Sequence, residues 1–151
     1  ARWQQHCYDL VDELVRPLDG ASELLATLRV HAIPAAILTN GWTPLQQKKI
    51  ARALGDAALA MPILVSDAIG AVKPERAAFD ALVAALAVPR ERVWYVGDNA
   101  RGDVRGALDA GLRAVWFNWE NQRYPQDFPT PTLIVTALRE LTKLAENTIA
   151  P

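Results

Sequence analysis

The chain is short of the residues that mark several common protein classes. A single cysteine, Cys7, allows no intramolecular disulfide framework and fits a reducing, cytoplasmic setting. Residues 1–15 hold no apolar stretch of the signal-peptide kind, and no apolar run approaches the roughly 20 residues of a membrane helix. Charge of one sign is lacking too. Sixteen Lys and Arg against 17 Asp and Glu leave a net charge of −1. That balance argues against a nucleic-acid binder driven by phosphate neutralisation. The two histidines, His6 and His31, fall on helical segments away from any strand end and read as surface residues. Methionine occurs once, at Met61, and the chain opens ARWQQHCYDL. The expectation is that residues precede Ala1 in the intact protein.

What is present is a well-mixed globular composition: 151 residues, 51% of them hydrophobic, which suits one domain and argues against disorder. Trp3, Cys7, Leu10, Val11 and Leu14 recur at helical spacing, so residues 2–15 are expected as one amphipathic helix ended by Pro17. A second helix is expected from Asp19. Next come an apolar run closed by Thr-Asn-Gly (34–41) and a helix capped by Thr43 with Pro44 in its first turn. MPILVSD (61–67) reads as a strand, and Pro74 opens the next helix. RVWYVGD (92–98) and RAVWFNW (113–119) read as strands around a helix at 100–111. TLIV (132–135) and a closing helix follow. Continuously apolar strands alternating with helices predict an α/β, Rossmann-like three-layer α/β/α fold on a mostly parallel sheet.

In such sheets ligands bind beyond the carboxyl ends of the strands. The residues there are Thr39, Asn40 and Gly41, then Ser66 and Asp67, then Gly97, Asp98 and Asn99. Asp98 beside a glycine suits a hard cation such as Mg²⁺, with Asp103 able to face the same point from the following helix. The competing reading is that Asp98 or Asn99 merely caps that helix. Thr39 and the turn after it suit a phosphate oxygen, although Thr-Asn-Gly is also ordinary turn chemistry. Lys73, set against the positive end of a helix dipole, reads by default as a surface lysine; the competing reading, given the two carboxylates, is a counter-ion for a bound anion. Trp42 either lines the entrance or packs. Trp94, Trp116 and Trp119 read as core or rim, and Cys7 as a small apolar residue.

Taken in order, ILTNG, VSDAIGAVKPE and VWYVGDNARGDVRGALDAG resemble three of the four signature motifs of the haloacid dehalogenase-like hydrolases. The resemblance runs from about Pro17 to Leu141. It implies that Thr39, with Asn40 and Gly41, binds the transferring phosphoryl group, that Lys73 neutralises it, and that Asp98 and Asp103 hold and orient Mg²⁺. Family dehalogenases work without metal and resemble Ser-Asn where this chain has Gly97-Asp98. The resemblance therefore implies a Mg²⁺-dependent phosphatase acting on a small phosphorylated substrate, for example a nucleotide or a sugar phosphate. The alternatives are a non-catalytic binding protein that kept the anion pocket, and a 2-haloacid dehalogenase.

The family's first motif, Asp-x-Asp after an apolar strand, supplies the nucleophile and the acid–base. It has no counterpart here: Asp9 and Asp12 are three apart and lie in a helical pattern. Residues 1–16 are expected as a remnant of a helical cap, and 17–151 as the core domain. In the family the missing strand lies centrally, between the strand ending at Thr39 and the one ending at Gly97. Deleting it would orphan roughly ten backbone groups at ~1–3 kcal/mol each. Three outcomes are open: the segment precedes Ala1, another chain supplies it, or the flanking strands close up in a pseudoenzyme. The first is expected, and the chain alone is expected to be inactive.

Overall fold

The computed structural model describes residues 2–149. Two helical pieces open the chain, α1 (Arg2–Asp9) and α2 (Val11–Leu14), followed by α3 (Ala21–Val30). The continuous helix expected over 2–15 is therefore broken at Leu10. The first strand, β1 (Ile37–Thr39), leads into α4 (Thr43–Leu54) and the short α5 (Asp56–Leu59). Next come β2 (Ile63–Val65), α6 (Ser66–Ile69) and α7 (Arg76–Leu86). The last third holds β3 (Trp94–Gly97), a wide turn at Ala100–Arg105, α8 (Gly106–Asp109), β4 (Arg113–Phe117), β5 (Leu133–Val135) and α9 (Leu138–Ile149).

Every strand pairing is parallel, as the unbroken apolar runs require. Buried Phe79, Leu82, Val104 and Ala107 pack with Leu38, Leu64, Tyr95 and Trp116, which places α7 and α8 over one side of the strands. On the other side Val115, Phe117 and Val135 pack with Leu141, Leu138 and Leu24, from α9 and α3. This is the expected three-layer α/β/α arrangement.

The strands form two sheets. One holds β1 and β2; the other has the order β3-β4-β5. Among the described residues no ladder joins β1 to β3, so the flanking strands have not closed up on each other. The side chains of β3 carry the consequence. Tyr95 is buried at 7%, whereas its neighbours Trp94 and Val96, on the opposite face, remain 39% and 40% exposed. A strand in the middle of a covered parallel sheet would bury both faces.

Candidate functional site

The site is assembled where β1, the segment after α6 and the turn after β3 meet. Asn40, just past β1, ties the first two together with a reciprocal pair of hydrogen bonds. Its Nδ2 donates to the carbonyl of Lys73 (3.0 Å) and its Oδ1 accepts from the Lys73 N–H (2.9 Å). Lys73 does not sit at a helix N-terminus as expected, because α7 begins only at Arg76. Its ammonium instead forms an ion pair with Asp103 Oδ1 at 2.7 Å, with both side chains largely buried.

Asp103 is the hub. Oδ1 also accepts from the Tyr95 hydroxyl (3.3 Å), and Oδ2 accepts from the Asn99 N–H (3.0 Å). A buried carboxylate satisfied by a cation, a phenol and an amide is well compensated. The Tyr95 hydroxyl lies equally close to the carbonyl of Leu38 in β1 (3.3 Å), so it reaches from one sheet to the other. Burial, followed by the negative charge of Asp103, pushes the Tyr95 phenol far above its usual range. It therefore acts as a neutral donor.

The turn after β3 explains why these groups converge. Asn99 caps it, its side chain accepting from the N–H groups of Arg101 (3.1 Å) and Gly102 (2.6 Å). The main chain then opens wider than an α-helix: the Asn99 carbonyl accepts from both Asp103 N–H (2.9 Å) and Val104 N–H (3.2 Å). This wide turn directs Asp103 back under Gly97. Of the two capping candidates, Asn99 takes the task and Asp98 does not. Among the described residues, no donor or cation pairs with the Asp98 carboxylate, which is exposed at the strand end. It borders a cavity of about 280 Å³ whose walls include Trp116, Asn118, Trp119 and Arg123.

Thr39 and Gly41 stand at the same end of β1. The Thr39 hydroxyl has only a long contact to the carbonyl of Asn40 (3.5 Å). The Gly41 N–H is already engaged by Ser66 Oγ at 2.9 Å, which narrows the set of amides an anion could use there. Thr43 is not the helix cap expected for α4. That position is Trp42, and the Thr43 N–H and hydroxyl both go to Asp67. These two bonds hold the Asp67 carboxyl below the usual range and remove it from the open site. Trp42 packs, with its ring 6.2 Å from that of Tyr8.

Sequence reasoning misses two residues of the site, Tyr95 and Trp116. The Trp116 indole N–H donates to the Asp98 carbonyl at 2.9 Å. Both residues lie inside apolar strands. The one signal available is the polar tip of a buried aromatic, which must find a partner.

Among the described residues, the strand ends offer one carboxylate without a protein partner, one buried ammonium and a hydroxyl. Among the described residues no cluster of three His, Cys, Asp or Glu could cage a metal. A Mg²⁺ ion fits what is present, because it is commonly held by one or two carboxylates and keeps waters for its other positions. The Asp98 carboxylate is the group that would hold it. No described helix is long and apolar enough to cross a membrane.

Comparison with known proteins bears on the chain as a whole. The family model described as "Hydrolase: haloacid dehalogenase-like hydrolase" matches residues 2–111. Pyrimidine 5'-nucleotidase YjjG of Escherichia coli is 37% identical over 133 residues, 87% of this chain and 58% of that protein. (S)-2-haloacid dehalogenase 2 of a Pseudomonas species is 28% identical over 130 residues, 86% of this chain and 56% of that protein. Among solved structures, the hydrolase YfnB of Bacillus subtilis, bound to magnesium, matches with a TM-score of 0.72 at 26% identity. That match covers 85% of this chain and 55% of that one. The chain thus spans little more than half the length of these relatives.

Proposed function

The chain belongs to the haloacid dehalogenase-like hydrolases, and from that premise we propose that it forms the phosphate- and metal-binding part of a Mg²⁺-dependent phosphoester hydrolase. The observation that carries this reading is the contrast between its two acidic residues. Asp103 is consumed by Lys73, Tyr95 and Asn99, while Asp98, beyond the same strand, is left free to meet a cation.

In this reading Thr39 and the Asn40 turn grip a phosphoryl oxygen. Lys73, held by Asp103, supplies positive charge toward the anion. Mg²⁺, when bound at Asp98, would draw charge from the phosphoryl oxygens and orient the group. The Asn40–Lys73 bond pair keeps the anion-gripping turn and the lysine in register.

A covalent mechanism also needs an oxygen nucleophile. The family resemblance implies that the nucleophile stands on a strand lying between β1 and β3, and we place it there; among the described residues the facing edges of these two strands have no ladder partner. Without that nucleophile, turnover should fall by about 10⁴-fold or more. We further assign residues 1–16 to a cap and 17–151 to the core. In support, α1 and α2 lie against α4, where Lys48 pairs with Asp12 (2.9 Å) and donates to the Tyr8 carbonyl (3.0 Å). The substrate class we assign is a small phosphomonoester, a nucleotide or sugar phosphate being the first to try.

The test is an assay of the intact protein carrying this chain. Phosphate release from nucleoside monophosphates and sugar phosphates is measured with Mg²⁺ and with EDTA, beside chloride release from 2-chloropropionate. The expected outcome is phosphate release abolished by EDTA. Chloride release indifferent to EDTA would establish a dehalogenase instead, and no turnover of either class a binding protein.

A further inference from the structure

The peptide group between Asp98 and Asn99 is held at both ends. Its carbonyl accepts the Trp116 indole N–H at 2.9 Å, and its N–H donates to Asp103 Oδ2 at 3.0 Å. We propose that Trp116 is a positioning residue for the metal site, fixing through that carbonyl the direction in which the Asp98 carboxylate is presented. The proposal rests on Asp98 being the cation ligand.

Trp116 of β4 is paired with Gly97 of β3, so it stands beside the point where β3 ends. It is itself immobilised. Trp116 is 4% exposed and its ring meets that of Tyr124 edge-on, at 4.9 Å between centroids. The Tyr124 hydroxyl in turn donates to the Pro129 carbonyl at 2.9 Å. Asp98 itself is exposed, with no protein partner for its carboxylate among the described residues, so its side chain cannot be oriented by direct contacts. What remains is the backbone. Clamping both ends of the following peptide fixes the rotation about the Asp98 Cα–C bond. Together with the ladder that holds Gly97, this sets the direction of the Asp98 Cα–Cβ bond, so that only the side chain's own rotations are left to be ordered when a cation arrives. The two clamps also join separate parts of the site: one leads to the Lys73–Asp103 pair, the other to the loop that walls the cavity beside Asp98.

The test is equilibrium binding of Mn²⁺ alone to the intact protein carrying this chain, by calorimetry or electron paramagnetic resonance. The variants are Trp116→Phe, Asp98→Asn and, as a control, Trp94→Phe. Phenylalanine keeps a ring against Tyr124 and removes the donor together with part of the indole's volume, a loss of packing that the unfolding measurement reads separately. The expected result is binding lost in Asp98→Asn, weakened roughly three- to tenfold in Trp116→Phe, as suits one hydrogen bond, and unchanged in Trp94→Phe. Urea unfolding without metal separates this from a purely structural role, which would move the midpoint and leave the Mn²⁺ affinity of the folded protein unaltered. Mn²⁺ binding that depends on Asp98 but not on Trp116 overturns the proposal and spares the metal reading. Binding indifferent to Asp98 overturns both. Should Trp116→Phe fail to fold, the wild-type indole N–H resonance of Trp116 decides. It is expected to shift on Mg²⁺ addition and not to do so in Asp98→Asn; a resonance unmoved by Mg²⁺ overturns the proposal.

Discussion

The space that a side chain at position 97 would fill is occupied by the carboxylate of Asp103. A Cβ on Gly97 would lie 2.5 Å from the Asp103 Cβ, and closer still to its carboxyl group. Glycine is required here by close approach, since the residue's backbone angle is an ordinary one. Gly97→Ala is therefore expected to push Asp103 out of its bonds with Asn99 and Lys73. The expected cost is about 1–3 kcal/mol, typical of overpacking. Urea unfolding measures it, and an unchanged midpoint would show that Asp103 has room to move.

Lys73 and Asp103 are a buried pair, so removing one charge should harm more than removing both. Lys73→Met leaves a carboxylate with two neutral donors and no cation, at a cost of roughly 3–5 kcal/mol. Adding Asp103→Asn should recover a large part of that loss. A double-mutant cycle in chemical denaturation reads the coupling directly. Strictly additive losses would mean that the pair is not coupled in solution.

Tyr95 gives the alkaline limb of the stability profile. Its folded value is raised above the ordinary 10.0 by burial and by Asp103. Folding thus favours the protonated phenol. That contribution is fully present below pH 10 and is lost as the pH climbs toward the folded value. Ultraviolet titration of the three tyrosines should show one that ionises only as the protein unfolds. In Tyr95→Phe that late component should vanish. Three tyrosines all ionising near pH 10 in the folded protein would contradict the buried bridge to Leu38 and Asp103.

Gly106 offers a test of packing away from the strand ends. A Cβ there would meet the Phe79 ring at 2.8 Å and Pro74 Cβ at 2.9 Å. Gly106→Ala is expected to destabilise by about 1–3 kcal/mol, read as a lower urea midpoint. A neutral or stabilising result, as helix propensity alone would give, would show that Phe79 can yield.

How much of this is legible in the sequence follows from how local each signal is. The alternation of apolar runs with helices announces the layers and the parallel pairing. Their positions after apolar strands mark Thr39 and Asp98 as candidates, each with a competing turn or capping reading, and it is the order of the three motifs, a family resemblance, that joins them with Lys73 and Asp103. Misleading signals come where a distant partner decides. Thr43 resembles a cap because the helix after it is visible, but Asp67, 24 residues away, competes for its hydroxyl. Lys73 resembles a helix-terminus residue because Pro74 suggests a start, but the helix begins at Arg76 and the ammonium goes to Asp103. Tyr95 and Trp116 are hidden for the same reason: the acceptors of Leu38 and Asp98 are brought to them only by the fold. The separation of β1 from β3 is expected only through the family resemblance. Nothing in the composition of either strand announces an unpaired edge.

Thr39, Lys73 and Asp98 are proposed to serve one ligand together, an anion bridged to a divalent cation. Calorimetric titration of the intact protein with inorganic phosphate, once with Mg²⁺ and once with EDTA, decides whether they do. Phosphate binding is expected to be saturable and to tighten when Mg²⁺ is present. Asp98→Asn should remove the Mg²⁺ enhancement, and Thr39→Val and Lys73→Met should each weaken the binding itself by about tenfold, the loss expected for one hydrogen bond to a charged group. Phosphate binding that ignores Mg²⁺ and survives all three substitutions would contradict that proposal.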